Sequence, residues 1–287
     1  MNNDKPDALR LDRRSVLAAG AAGLAALASP WARAAGQEPM PARVPGIQLY
    51  TVRDSMAQDP RATLEAIAAI GYREVEFAGY YDIPPAELRA LLDSLGMTSP
   101  NSHVDGATMR DDPRALIEPA AELGNRYVTI AWLPEEERKP LDKWKSWADV
   151  LNRAGAIAKG FGMQAAYHNH DFEFEPVGGK LPHDILMAET DPDLVAFELD
   201  FFWVRKAGRD IREVLAQAPE RFPMAHIKDM NANGEMVDVG AGQIDFAGIL
   251  ADDAARGLKH LFVEHDNPEN SFRTAIIGQR ALARILA

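Results

Sequence analysis

The sequence predicts a single-domain α/β fold, a (β/α)8 TIM barrel, and three observations predict it. A short apolar segment, a polar loop and an amphipathic helix recur along the chain, and the segments number eight. The stretch from Gly46 to Ala287 has about the ~250 residues that eight such units occupy. The loop after the first segment, Thr51-Val52-Arg53-Asp54, lacks the glycine-rich phosphate turn that an open doubly wound sheet usually carries there.

Taken in order, the first strand is expected at Gly46–Tyr50. A helix from Arg61 buries Leu64, Ile67 and Ala68 and stops at Gly71. The second strand is Val75–Ala78. The next helix carries Leu88, Leu91, Leu92 and Leu95 at i, i+3, i+4, i+7, so one face is apolar. The third strand is Met97–His103, and a helix with Leu116, Ile117 and Leu123 leads to the fourth, Tyr127–Trp132. A longer helix from about Leu141 ends at Gly162 before the fifth strand, Met163–Tyr167. The sixth, seventh and eighth strands are Leu194–Leu199, Met224–Ile227 and Leu261–Val263. Helices from Ile211 and from Phe246 link them, and a helix with Ala275, Ile276, Ala281 and Leu286 closes the chain. Gly71, Gly96, Gly124, Gly162 and Gly257 each sit just past a helix, where glycine supplies a left-handed residue that ends it. Gly240-Ala241-Gly242-Gln243-Ile244-Asp245 reads as a flexible loop after the seventh strand.

Composition narrows the function. The chain of 287 residues has a formal net charge of −12, which disfavours nucleic acid and anionic membrane surfaces as partners. It has no cysteine, so disulfides, thiolate metal sites and a cysteine nucleophile are excluded. At the N-terminus, Arg13-Arg14 opens an apolar run to Ala28 that is too short to span a bilayer and ends in Ala32-Arg33-Ala34. That layout is a secretory signal of twin-arginine type over residues 1–34, with cleavage expected there and a periplasmic location for the rest. Residues 35–45, with Pro39, Pro41 and Pro45, read as an extended lead-in to the barrel domain, 46–287.

The chemistry is concentrated at the strand ends, which in this barrel form the active face. The third strand ends in His103, and the fifth in Tyr167-His168-Asn169-His170 with Glu173 close behind. The sixth ends in Glu198-Leu199-Asp200, the seventh is His226-Ile227-Lys228-Asp229, and the eighth ends in Glu264-His265-Asp266. Five of the seven histidines fall at these ends, all but His183 and His260. Scattered solvated histidines would also appear on helices, so the clustering points to a site. Asp200, His226 and Glu264 offer one imidazole and two carboxylates from three successive strands, a donor mix that suits Mn²⁺, Mg²⁺, Co²⁺ or Zn²⁺.

These motifs, with Val239-Gly240-Ala241-Gly242-Gln243-Ile244-Asp245-Phe246 and Ile47-Gln48-Leu49-Tyr50-Thr51-Val52-Arg53, resemble the xylose-isomerase-like, or sugar phosphate isomerase/epimerase, superfamily. The histidine–asparagine–histidine stretch resembles one branch of it. The resemblance implies one divalent metal ion and a sugar or cyclic polyol as substrate. It implies ligands after strands five to eight: a glutamate, an aspartate, a histidine and a glutamate. Asp200, His226 and Glu264 match the last three. At the first, His168 stands in the usual glutamate position; the expectation is that Glu173 reaches back from the loop as the ligand, with His168 itself the alternative.

The expected mechanism is isomerisation or epimerisation of a keto-sugar through an enediolate that the chelated ion stabilises. His170 is the expected base, with His168 also facing substrate and Lys228 supplying positive charge to the oxyanion. His103 and Glu198 are candidate hydroxyl contacts. Trp132 and Phe202 are candidate stacking surfaces, with Phe201-Phe202-Trp203 forming a pocket wall where the chain rises into a loop. Loss of a β-substituent from the same intermediate would make the protein a lyase or dehydratase of keto-sugars or 3-keto-glycosides. A reading from another class is an exported carbohydrate-binding protein without turnover. A nuclease related to endonuclease IV is disfavoured by the acidic charge. The partner is thus a small sugar or glycoside, and a homo-oligomer is compatible with the sequence.

Overall fold

The computed structural model describes residues 43–287. The export signal expected in residues 1–34, and residues 35–42 of the lead-in, lie outside the described residues. Eight parallel strands close into a barrel in chain order. They are β1 (Pro45–Gln48), β2 (Glu74–Phe77), β3 (Thr98–Val104), β4 (Tyr127–Ile130), β5 (Gln164–His168), β6 (Val195–Asp200), β7 (Met224–Ile227) and, after a two-stranded hairpin of β8 (Asp229–Met230) and β9 (Met236–Val237), β10 (His260–Val263). β1 pairs with both β2 and β10, which leaves no open edge.

Local rules explain the units between the strands. In the helix Pro60–Ile70, the Asp59 carboxylate accepts from the Ala62 amide, Pro60 fills the first turn, and Gly71 leaves in the left-handed region at φ 113°. Leu64 and Ile67 face the barrel. Gly96 and Gly124 end their helices in the same way. Gly257 does not: it lacks a positive φ, and its role is close packing, since a Cβ there would meet the Pro219 carbonyl oxygen at 1.9 Å. Among the described residues, no helix is long and apolar enough to cross a membrane.

Two further expectations are corrected. The chain does not rise into a loop after Asp200. A helix, Phe201–Lys206, starts at once because the Asp200 carboxylate accepts from the Trp203 amide at 3.0 Å and caps it. The segment after β7 is not a free loop either. The Asp229 carboxylate accepts backbone N–H groups from Met230, Gly240, Gly242 and Ile244 at 2.8–3.2 Å and ties the segment into one unit.

The period of two along each strand decides what fills the barrel. On β7, Ala225 and Ile227 join the large core between strands and helices, while Met224 turns inward. Met224 packs there with Tyr127, Ala166, Ala196 and Phe262 as a separate apolar layer. One step further along β7 the inward position is His226, and two steps further Lys228. The barrel therefore passes from apolar at one end to charged at the other within a few residues of each strand.

Candidate metal centre

β5 and β6 each run one residue beyond their expected ends, so His168 and Asp200 are strand residues with fixed direction. His168, Asp200, His226 and Glu264 bring one donor atom each to within 4.8 Å of one another, and all four are buried. The orientation of His168 is set from behind. Its Nδ1 lies 3.1 Å from the Ala131 carbonyl oxygen, which can only accept, so Nδ1 carries the proton. In the neutral ring Nε2 then presents a lone pair, and it faces Asp200 Oδ2 at 3.3 Å. Burial, and next the charge of His226, lower His168 to about 4, which keeps the ring neutral. Two acceptors face each other there, as they do around a shared cation. Beside them, His226 Nδ1 and Glu264 Oε2 lie 2.7 Å apart, both buried and neither in hydrogen-bond geometry with any partner. Two imidazoles and two carboxylates with buried, converging donor atoms fit a divalent ion.

Lys228, 2% exposed, completes the electrostatics. Its Nζ lies 3.0 Å from Asp200, 2.9 Å from Glu264 and 2.7 Å from Asp266. Burial alone would lower this ammonium, but the three carboxylates outweigh it and hold it well above its ordinary value. Burial likewise would raise Asp200 and Glu264, but Lys228, followed by His168 at Asp200 and by His226 at Glu264, keeps both well below the carboxylate range. Both carboxylates are therefore ionised and available as ligands.

Glu173 is not part of this group, which corrects the expected ligand set. The short turn Phe172–Phe174 folds its carboxylate back under the strand. There it accepts from the Tyr167 hydroxyl and from the His170 amide, each at 2.7 Å. Burial raises it to about 8. It is His168 that stands with Asp200, His226 and Glu264, and Glu173 instead holds the backbone of His170. The His170 ring lies nearly parallel to Phe172 at 5.4 Å and beside Trp203 at 5.3 Å, and its Nδ1 is buried without a partner. Burial, then the neighbouring His168 and the Lys228 ammonium, lower its pKa well below the usual range, so it is a neutral imidazole.

Below the ligand group lies a second polar layer. Glu76 on β2, fully buried, accepts from Gln48 Nε2, Asn101 Nδ2 and His226 Nε2. His103 Nε2 lies 2.6 Å from Glu198 Oε2 and 3.4 Å from Glu76. Glu198 is thereby engaged with His103 inside the barrel and does not line the cavity, so it is not the hydroxyl contact expected of it. Glu76 had no place among the expected site residues. Its signal is the alternation Glu74-Val75-Glu76-Phe77, in which an inward carboxylate alternates with two outward apolar residues.

The group opens into a cavity of about 790 Å³ at the C-terminal ends of the strands. His103, His168, His170, Lys228 and Glu264 line its floor, and Tyr50 and Trp132 stand at its mouth, 42% and 49% exposed. Phe202 does not reach it: the helix that Asp200 caps turns this ring into the packing, 4% exposed and against Trp203.

Comparison with known proteins agrees with this architecture. The chain is 25% identical over 209 residues to the inosose dehydratase of Geobacillus kaustophilus, a match covering 65% of each chain and so just under two thirds of that protein. An inosose dehydratase of Clostridium perfringens is 35% identical over 89 residues, covering 31% of this chain and 29% of that one. Among solved structures, a sugar phosphate isomerase/epimerase of Parabacteroides distasonis superposes with a TM-score of 0.75 at 25% identity, covering 90% of this chain and all of that one. The zinc-bound IolI protein shares the fold at a TM-score of 0.66 and 18% identity, covering 85% of this chain and 98% of its own. Residues 64–281 match the family described as xylose isomerase-like TIM barrel, and the chain belongs to it.

Proposed function

We propose that the protein is a divalent-metal-dependent enzyme that removes a proton from the carbon beside a carbonyl of a keto-sugar or keto-cyclitol, with dehydration as the outcome. The observation that carries this reading is the convergence of four buried donor atoms from His168, Asp200, His226 and Glu264, two of which, His168 and Glu264, line the floor of an open cavity. These four residues would hold the ion, and its chemistry when bound is Lewis acidity toward the substrate oxygens. The neutral imidazole of His170 takes the proton, since it lines the same cavity and its backbone is fixed by Glu173. Lys228, at the floor, opposes the negative charge that develops on the substrate oxygen. Trp132 and Tyr50 offer ring faces at the mouth for the apolar face of a sugar.

Loss of a hydroxyl, rather than return of the proton, is favoured by the relatives named inosose dehydratase. The epimerase or isomerase reading shares every step up to that point, and the Parabacteroides structure speaks for it. The export signal read in residues 1–34 makes an unphosphorylated substrate, met outside the cytoplasm, the fitting one; N-terminal sequencing of protein from a periplasmic fraction tests this.

The test of the function begins with elemental analysis of the purified protein beside an Asp200→Ala/His226→Ala variant. About one equivalent of a divalent metal in the parent and little in the variant supports the centre. Keto-sugars, inososes and 3-keto-glycosides are then incubated in heavy water. Release of water, or of the aglycone from a 3-keto-glycoside, with deuterium in the product at the carbon that carried the leaving group supports the dehydratase or lyase. Deuterium with an altered configuration supports the epimerase, and binding without exchange for any of them sinks the enzyme reading.

A further inference from the structure

We infer that Glu76 is a positioning residue for the metal centre: it fixes His226 as the Nε2–H tautomer, so that the Nδ1 lone pair is the one aimed at the ion. The inference rests on the metal-centre reading above and assigns a role to a residue outside the ligand group.

Three features carry it. First, Glu76 Oε2 lies 2.6 Å from His226 Nε2, while His226 Nδ1, on the other side of the ring, faces Glu264 at 2.7 Å and Asp200 at 3.6 Å. A carboxylate only accepts, so the proton of the neutral ring sits on Nε2 and Nδ1 is left as a donor atom toward metal. Second, the carboxylate cannot rotate away. Asn101 Nδ2 donates to Oε1, and Gln48 Nε2 donates to Oε2. Third, both amides are themselves oriented. The Tyr50 amide donates to Gln48 Oε1 at 3.0 Å, and the Thr129 hydroxyl donates to Asn101 Oδ1 at 2.9 Å. Each amide therefore has its oxygen engaged elsewhere and must turn its nitrogen to Glu76. The chain of contacts runs from backbone and hydroxyl through amide and carboxylate to imidazole without a free rotor.

His168 is fixed in the opposite sense. Its Nδ1 proton is committed to the Ala131 carbonyl, which leaves Nε2 for the ion. The two imidazoles of one centre would then bind through different nitrogens, and that asymmetry is measurable.

The experiment uses cobalt(II) affinity, by competition with a chromophoric chelator, for the parent and for Glu76→Gln. An amide at position 76 meets the donors of Gln48 and Asn101 with a donor of its own and loses its hold on the His226 tautomer. The expected result is affinity weakened by about 10- to 100-fold with an altered visible spectrum of bound cobalt. Affinity within twofold of the parent, with the parent spectrum, overturns the inference and leaves the metal centre standing. A parent that takes up no ion overturns both.

Should Glu76→Gln fail to fold, the parent itself decides. Histidine labelled with ¹⁵N in the zinc-loaded protein is expected to show two metal-bound rings, one protonated at Nδ1 and one at Nε2. Two bound rings both protonated at Nδ1, or a single bound ring, overturns the inference.

Discussion

The two halves of the barrel do different work. β5, β6, β7 and β10, or the residue just after them, supply the four side chains that converge beneath the cavity. β1 to β4 supply none of them, yet their inward residues Gln48, Glu76, Asn101 and Thr129 form a hydrogen-bonded array that ends on His226 across the barrel. One half presents charge to the ligand; the other half is saturated, each member having its partner within the protein. A closed barrel permits this division because residues remote in sequence, such as 76 and 226, meet at its axis.

That contrast can be broken most forcefully in the ligand half. His226→Ala, with the cavity otherwise intact, is expected to lose the bound ion and about 10³-fold or more in turnover, read by elemental analysis and by kcat. Turnover at parental levels with no ion bound would dissolve the distinction between the halves. Lys228→Met comes next. It leaves Asp200, Glu264 and Asp266 without their common partner. The ion-free protein is expected to lose about 3–5 kcal/mol of stability, part of which returns when a divalent ion is added, as thermal unfolding with and without manganese would show.

A smaller effect concerns pH. Burial would lower His226, but the carboxylates of Glu198, Glu264 and Glu76 hold its pKa well above the ordinary value in the ion-free fold. A raised pKa means that the proton stabilises the ion-free fold at lower pH, and that this stabilisation is lost as pH rises through the raised value. The ion competes for the same ring, so its affinity is expected to climb over that same rise, by up to about tenfold per pH unit. Calorimetry in buffers of different ionisation enthalpy would detect the released proton, and an affinity independent of pH would remove His226 from the ligand set.

Glu173→Gln separates holding from binding within the ligand half. It is expected to lower kcat by about 10-fold through displacement of His170 while metal content stays at the parental level. Loss of the ion in this variant would restore Glu173 as a ligand. The smallest effect is expected at the mouth, where Trp132→Ala should raise KM by about 3- to 10-fold with kcat little changed.

How much of this was legible in the sequence follows the same division. The barrel could be read because its signals are local: strand-length apolar runs, helical periodicity and glycines after helices. Asp200, His226 and Glu264 stand out as polar residues at strand ends, and they do come together. The choice between His168 and Glu173 turned on one short turn, Phe172–Phe174, whose direction is set by the Tyr167 hydroxyl and a backbone amide. Neither contact leaves a mark in the spacing of residues. Phe202 is misplaced in the sequence because the cap that Asp200 provides starts a helix at once, and nothing local distinguishes that from a rising loop. Glu76 was missed because its partner lies 150 positions away. In a list of residues, a carboxylate between Val75 and Phe77 looks like one side of an ordinary two-faced strand.

The Asp229 carboxylate bears on how freely this protein can be altered. It holds the segment after β7 through backbone N–H groups, which every residue except proline possesses. The shape of that segment is therefore largely independent of its side chains. The exceptions are Gly242, where any Cβ would fall 2.2 Å from Asp229 Oδ1, and Gly234 and Gly240, whose φ of 77° and 90° favour glycine. Met236, within the hairpin, accepts from the amide of Asp266 at the cavity. With Asn231, whose Oδ1 accepts from the Asn233 and Glu235 amides, and Gly234 kept, the rest of the hairpin is thus a place where sequence can be randomised beside the cavity while its frame persists, and a library built there would search for new selectivity without first having to rescue the fold.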